Sequence, residues 1–244
     1  MKGLLVVSVV LVLYLSAIQS AKLVKRSPGV GFTRGRIVGG KNAVEGQAPW
    51  QASLLVNGWF GWSHNCGGTL TGKRSVVTAA HCTEGLTKDT IKIQYGGLDR
   101  TALKYENPIA LINEHDQWNK TSRFDYDYAV INLERDIEVG GNVGTLELAQ
   151  TEPKTGDKAD LTGWGATAGN SGSDGQGDVM CVGVLLNVGI RSIYNQGDSG
   201  GPLVSGGKLV GIVSWARSDC TPDTQNFPNA YANVAVLYDW LKAR

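Results

Sequence analysis

The stretch NQGDSGGPL, residues 195–203, places Ser199 in a glycine-rich turn directly after Asp198. Its centre, from Gly197 to Gly201, fits the G-x-S-x-G pattern with which α/β-hydrolases present a nucleophilic serine. The same serine also fits a second, unrelated class of serine enzyme, because the constellation of Ser, His and Asp recurs on different folds. The two classes place the histidine at different points of the chain, so the histidines decide between them.

The chain has three histidines, His64, His81 and His115, and all of them precede Ser199. In an α/β-hydrolase the order along the chain is Ser, then Asp or Glu, then His. Because no histidine follows Ser199, an α/β-hydrolase arrangement would have no histidine base, and this class is excluded. The order that remains is His, Asp, Ser. We interpret His81 as the base, and His64 and His115 as structural or surface histidines.

Two stretches supply the other members of this order. His81 in TAAHC (78–82) follows a strand-like apolar run, and Asp127 in FDYDYAVINL (124–133) opens another such run. Asp125 lies close by, but only Asp127 stands at the head of the apolar strand. A serine hydroxyl becomes an effective nucleophile when an imidazole removes its proton and a carboxylate orients that imidazole.

These stretches together resemble the chymotrypsin/trypsin-like serine endopeptidases, and the likeness covers residues 37–244. The leader and the layout are similar to those of arthropod digestive proteases, including those of mites. The resemblance implies an all-β fold of two packed antiparallel six-stranded β-barrels, about 37–135 and 136–230, with a C-terminal helix at about 231–244. The matching motifs, in the order typical of the family, are IVGG (37–40), CGGTL (66–70), TAAHC, DYAVINL, GWG (163–165), GDSGGPLV (197–204) and IVSW (212–215).

The resemblance also assigns roles to the residues around the serine. His81, Asp127 and Ser199 would form the catalytic triad, in which His81 takes the serine proton and Asp127 holds the imidazole. Backbone N–H groups of Gly197 and Ser199 would form the oxyanion hole, where loss of one donor typically costs about 10²–10³-fold in rate. The implied reaction is peptide-bond hydrolysis through an acyl-enzyme, with no cofactor and no metal.

The first 36 residues are predicted to be a leader that is removed from the mature protein. A basic residue, an apolar run and then small residues are typical of a secretory signal peptide, here residues 1–20. Residues 21–36, basic and rich in glycine, are predicted to be an activation propeptide. Six of the 23 Lys and Arg residues and none of the 22 Asp and Glu residues lie in 1–36, so residues 37–244 carry a net charge of −5. Neither this charge nor any later apolar segment points to nucleic acid or a membrane.

The motif IVGG after Arg36 indicates a zymogen. Cleavage between Arg36 and Ile37 frees an ammonium group that, by the resemblance, folds inward and pairs with Asp198. Pairing with a carboxylate raises the pKa of an α-amino group above its ordinary value of roughly 7.7–8.0. The active form is therefore expected to be present below that range and to be lost as the pH rises through the raised value.

Four cysteines in an exported chain are disulfide candidates, and their positions alone allow three pairings. The resemblance implies a Cys66–Cys82 bridge beside the catalytic histidine. Asn195 stands where the family usually has a cysteine, which leaves Cys220 without its usual partner. Two alternatives remain for Cys181 and Cys220: they form a disulfide with each other, or both are unpaired.

The segment before the serine departs from the family pattern. Only 35 positions separate Trp164 from Ser199, so the second barrel is expected to lack a helix and a disulfide-closed segment. Ile193 stands where trypsin-like enzymes have an aspartate, which disfavours cleavage after Lys or Arg. Ala216 and Asn229 replace glycines of the pocket walls, and small or apolar substrate residues are favoured. Ile193 fits equally well as a core residue of a rearranged loop.

Two other short stretches have expected roles. Ser214, Trp215 and Ala216 resemble the strand edge that pairs with the substrate backbone, which is a form of β-augmentation. Asn119 begins the sequon Asn-Lys-Thr and is a candidate acceptor for N-glycosylation.

Two functions follow from these patterns. The first is a secreted, monomeric serine endopeptidase that acts on polypeptides, is activated by another protease and is a target of protein protease inhibitors. The alternative is a protease homologue with impaired catalysis that acts by binding, because the segment before the nucleophile is shortened.

Overall fold

The computed structural model describes residues 41–165, 181–185, 197–215 and 230–244, which belong to one compact unit. Among these residues no helix is long and apolar enough to cross a membrane. Several residues singled out by the sequence lie outside the described ranges: Arg36, Ile37, Ile193, Asn195, Ala216, Cys220 and Asn229.

The first half of the unit is a closed barrel of six strands in the spatial order β2-β3-β4-β7-β6-β5, with every pair antiparallel. Strand β5 shows why these residues form it: Ile91, Ile93 and Tyr95 are buried, while Lys92 and Gln94 between them are half-buried, the period of two that a strand requires. The strands are β2 (Gln51–Gly58), β3 (Gly61–Leu70), β4 (Ser75–Thr78), β5 (Ile91–Tyr95), β6 (Tyr105–Glu114) and β7 (Ala129–Leu133).

The second sheet has seven strands in the order β1-β10-β9-β11-β12-β13, with β8 paired in parallel to β12, and all of them except β1 come from the second half of the unit. The other pairs are antiparallel. The resemblance implies the second barrel in this part of the chain, and within the described residues its strands pair as this sheet. Its strands are β1 (Lys41–Asn42), β8 (Glu147–Leu148), β9 (Ala159–Gly163), β10 (Cys181–Leu185), β11 (Pro202–Ser205), β12 (Lys208–Trp215) and β13 (Ala230–Asn233).

The C-terminal helix α1 (Tyr238–Lys242) is shorter than the segment expected at 231–244. The reason is that residues 230–233 pair with β12 as strand β13. Asn233 then accepts a hydrogen bond from the backbone N–H of Ala235 at 3.0 Å, which turns the chain towards the helix. The three apolar residues of the helical pattern, Val234, Leu237 and Leu241, are buried as the spacing predicts.

One hydrophobic cluster extends across both sheets, and a buried polar contact also joins them. Core residues of the barrel, such as Leu54 and Ile131, belong to the same cluster as Ile212 of β12. The hydroxyl of Thr162 on β9 donates to the side-chain carbonyl of Gln51 on β2, and both residues are buried. The candidate site lies along this junction.

Candidate active site

His81 lies in a 3₁₀ turn, Ala80–Cys82, that follows strand β4 of the barrel. Cys82 forms a disulfide with Cys66 of β3, as the resemblance implies, and so ties the turn to the neighbouring strand. The His81 side chain is 22% exposed. The local sequence explains this arrangement, since an apolar strand ends at Thr78 and the cysteine next to His81 anchors the turn.

Asp127 holds His81 at two points. Its Oδ2 accepts a hydrogen bond from His81 Nδ1–H at 2.8 Å, and its Oδ1 accepts one from the His81 backbone N–H at 2.9 Å. Asp127 is 1% exposed and directly precedes the buried stretch that becomes β7. The contact assigns the proton of the imidazole to Nδ1, which leaves Nε2 as the acceptor that a base needs.

Ser214 supplies a third donor to this carboxylate. Its hydroxyl donates to Asp127 Oδ2, although the two residues are 87 positions apart. A buried carboxylate needs such partners, because an unpaired charge in the interior is costly. The sequence suggested Ser214 only for its resemblance to a substrate-pairing edge, and no local pattern signals a bond to Asp127. Neighbouring Trp215 is 46% exposed at the end of β12.

The loop with Ser199 is pressed against the strand that leads into His81. Gly200 has a φ of 75°, and a Cβ added there would overlap Thr78 Oγ1 and lie 3.0 Å from the backbone nitrogen of Ala79. Only glycine meets both demands. The carbonyl of Ser199 accepts a hydrogen bond from Gly67 N–H at 2.7 Å, so the loop is also bonded to β3.

The structure brings His81 and Ser214 into contact with Asp127, and the loop of the half-buried Ser199 packs at Gly200 against Thr78 and Ala79, just before the turn of His81. Among the described residues, no hydrogen bond joins the Ser199 hydroxyl to His81, and His81 Nε2 lies 3.6 Å from Cys82 Sγ. The hydrogen bond between a base and its nucleophile is often long before the substrate binds and shortens in the complex.

Asp198 is fully buried beside the GWG stretch. Its Oδ1 accepts a hydrogen bond from the backbone N–H of Gly165 at 2.8 Å. A Cβ on Gly163 or on Gly165 would overlap the Asp198 carboxylate, so both glycines are needed for this close approach. The GWG motif therefore forms one wall of the space that holds Asp198.

His64 connects the barrel to the loop of the candidate nucleophile. Its Nδ1 accepts from the hydroxyl of Ser53 at 2.8 Å, and its Nε2–H donates to the carbonyl of Gly197 at 2.9 Å. Burial lowers the pKa of His64 to about 4, and the nearby Arg100 acts in the same direction against the hydrogen bond to Gly197. The structural interpretation of His64 is therefore right, and the residue lies beside the site although no motif marks it.

The acid stability of the protein should depend on His64. Its folded-state pKa of about 4 lies below the ordinary value of 6.5, so unfolding takes up a proton between these values. The stabilisation is complete above pH 6.5 and is lost as the pH falls towards 4, by about 3 kcal/mol in the free energy of unfolding. Urea unfolding of the wild type and of His64→Gln at several pH values measures this difference. A difference that stays constant from pH 7 to pH 4 would contradict the assignment.

Cys66, His81 and Cys82 bring ligand-type atoms within 4.8 Å of one another. The two sulfur atoms are bonded to each other in the disulfide, so neither is available as a thiolate. Asn119, the candidate glycosylation site, lies exposed in the loop before Asp127 with a φ of 54°.

The closed barrel, the second sheet and the site at their junction define a class, the serine endopeptidases with a chymotrypsin-like fold. The Trypsin family model matches residues 37–241, and the chain belongs to this family. The predicted family, fold class and kind of enzyme are thus confirmed.

Known relatives agree with this assignment. The chain is 32% identical over 228 residues to trypsin alpha-4 of Lucilia cuprina, covering 85% of this chain and 86% of that protein. It is 32% identical over 229 residues to trypsin iota of Drosophila melanogaster, covering 85% and 87%. The solved structure of neuropsin, a serine protease expressed in the limbic system of mouse brain, matches with a TM-score of 0.71 at 27% identity, covering 85% of this chain and 99% of that chain.

Proposed function

We propose that the chain is a secreted serine endopeptidase that hydrolyses polypeptides with His81, Asp127 and Ser199 as its triad. The main support for the proposal is that the Asp127 carboxylate accepts two hydrogen bonds from His81, one from the ring and one from the backbone, and a third from the Ser214 hydroxyl. This arrangement supports the tautomer and the orientation that the proposed base needs, and the carbonyl of Ser199 is bonded to Gly67 of β3, the strand to which the His81 turn is tied by the disulfide.

The proposed reaction has two halves. His81 Nε2 takes the proton of the Ser199 hydroxyl as its oxygen attacks the peptide carbonyl, and then gives that proton to the leaving amine. The acyl-enzyme is hydrolysed when His81 takes a proton from water and returns it to Ser199. Backbone N–H groups of Gly197 and Ser199 would bind the oxyanion; the φ of 98° at Gly197 is one that glycine adopts without strain.

Activation is proposed to follow cleavage between Arg36 and Ile37. The freed ammonium of Ile37 would pair with Asp198, whose buried position next to Gly165 supports this role. Residues 1–20 would direct secretion to the extracellular space and residues 21–36 would be lost on activation by another protease. We propose a monomer that protein protease inhibitors can block.

The substrates are polypeptides, and we propose a preference for small or apolar residues on the acyl side of the cleaved bond. Ile193 in place of an aspartate removes the charge that would pair with Lys or Arg. Ala216 and Asn229 would narrow the pocket. Profiling the cleaved protein against a peptide library tests this preference, and preferred cleavage after Lys or Arg would contradict it.

After cleavage at Arg36, a fluorophosphonate probe should label the protein at Ser199. The probe reacts with a serine hydroxyl only when the base and the oxyanion donors are assembled. Mass spectrometry of the labelled peptide identifies the site. Ser199→Ala should abolish labelling, whereas Ser205→Ala, which removes a hydroxyl at the end of β11, should leave it unchanged. A folded, cleaved chain that remains unlabelled would favour the impaired homologue instead.

A further inference from the structure

The loop before Asp127 is held by His115, a residue with no part in the triad. We propose that His115 is a positioning residue, which keeps Asp127 in register with His81 by stacking on Tyr126. The inference rests on the proposed triad, because it concerns the placement of the triad carboxylate.

The rings of His115 and Tyr126 stack almost face to face, with centroids 4.7 Å apart and an interplanar angle of 5°. Tyr126 directly precedes Asp127 and has a φ of 56°. The left-handed region is unfavourable for a residue with a Cβ, and aromatic residues are found there only when their surroundings hold them. The stacked imidazole supplies that hold.

His115 also contacts the residue on the other side of Asp127. Its ring lies 4.8 Å from the ring of Tyr128, and its backbone N–H donates to the Tyr128 carbonyl at 3.3 Å. One side chain thus contacts both neighbours of the candidate triad carboxylate. Tyr128 is buried, whereas Tyr126 is 44% exposed and lies farther from the Tyr128 ring, at 6.2 Å, than from that of His115.

The imidazole itself is fixed from two further directions. Its Nδ1 accepts a hydrogen bond from the backbone N–H of Gln117 at 3.1 Å, and its ring lies 5.0 Å from that of Trp240 in helix α1. Burial lowers the pKa of His115; the Asp116 carboxylate opposes this effect and the Arg244 guanidinium reinforces it. At a weakly basic assay pH the ring is neutral and carries its proton on Nε2.

Loss of the stack between His115 and Tyr126 should therefore lower the rate of the reaction, because the loop that carries Asp127 would shift. A displacement of catalytic groups by about 1 Å can cost about 10²-fold in rate. The same loop contacts the base a second time, because the ring of Phe124 meets that of His81 edge to face with centroids 5.8 Å apart. Relaxation of Tyr126 would disturb Asp127 and His81 together.

The test compares kcat and KM per titrated active site in the full, cleaved enzyme, using a short ester substrate. We expect His115→Ala and Tyr126→Ala each to lower kcat by about 10- to 100-fold with KM within about twofold. The double variant should be no slower than the slower single variant, because both remove the same contact. His115→Phe, which keeps a flat ring against Tyr126, should stay within about threefold of the wild type.

Tyr105→Ala is the matched control. Tyr105 is also 44% exposed and also stacks on another ring, that of Tyr95 at 5.4 Å, but lies at the start of β6, and among the described residues no hydrogen bond or ring contact joins it to the loop of Asp127. Its kcat should equal that of the wild type. Thermal unfolding of each variant shows how much of the effect is stability.

Several results would overturn the proposal. These are an unchanged kcat in both alanine variants, a rise in KM alone, additive effects in the double variant, or a phenylalanine variant as slow as His115→Ala. If His115→Phe does not fold, Tyr126→Ala and the double variant decide. A wild-type enzyme that the fluorophosphonate probe does not label would refute the proposed triad instead, so the two failures are distinguishable.

Discussion

Asp127→Asn should lower kcat for peptide hydrolysis by about 10⁴-fold, the loss typical of a triad whose histidine takes the wrong tautomer. Asp127 accepts from His81 Nδ1 and from the Ser214 hydroxyl at Oδ2, and from the His81 backbone at Oδ1. An asparagine must place its NH₂ group against one of these donors. With the NH₂ at the Oδ2 position, His81 would shift its proton to Nε2 and could no longer accept the proton of Ser199.

The measurement is kcat on a peptide substrate, normalised to the concentration of folded protein, with circular dichroism to verify folding. Asp125→Asn is the matched control, because it removes a carboxylate two positions away in the same loop. That variant should remain within a few-fold of the wild type. Equal losses in the two variants, or a loss of less than tenfold in Asp127→Asn, would show that Asp127 does not orient the base.

Arg36→Gln should leave the chain at least about 10²–10³-fold less active than the cleaved wild type, the loss associated with a missing oxyanion donor. Without cleavage, Ile37 has no ammonium to pair with the buried carboxylate of Asp198. In cleaved protein, Asp198→Asn should cause a comparable loss, since the amide cannot bind the ammonium as an ion pair. If the proposed pair forms, activity of the cleaved wild type should also fall as the pH rises above the ordinary range of an α-amino group, because the pair requires the protonated amine.

The assay compares initial rates after treatment with an arginine-specific protease, with N-terminal sequencing to establish which bond is cut. Arg34→Gln is the control, because it removes a basic residue of the same segment and keeps the Arg36–Ile37 bond. Its rate should match that of the wild type. An uncleaved Arg36→Gln chain as active as the cleaved enzyme would contradict activation by this route.

Much of the fold was predictable because the strands carry their own pattern. The alternation in IKIQY predicts a half-buried strand, and Ile91, Ile93 and Tyr95 are the buried residues of β5. The pattern was less informative at the C-terminus, where the segment Ala230–Asn233 pairs with β12 instead of extending the helix. Short apolar segments suit either state, and the available partner strand decides between them.

His81, Asp127 and Ser199 could be singled out from the residues, since each stands in a local motif and their order excludes the α/β-hydrolase arrangement. Only the tertiary structure shows which other side chains form hydrogen bonds with these residues and with the loop of Ser199. Ser214 bonds to Asp127 across 87 positions, and His64 bonds to Gly197 across 133. A local pattern reports the conformation of its own segment, whereas such pairs depend on how the closed barrel and the second sheet meet. For that reason the triad candidates can be predicted from the sequence, whereas the side chains that position them can be identified only in the folded protein.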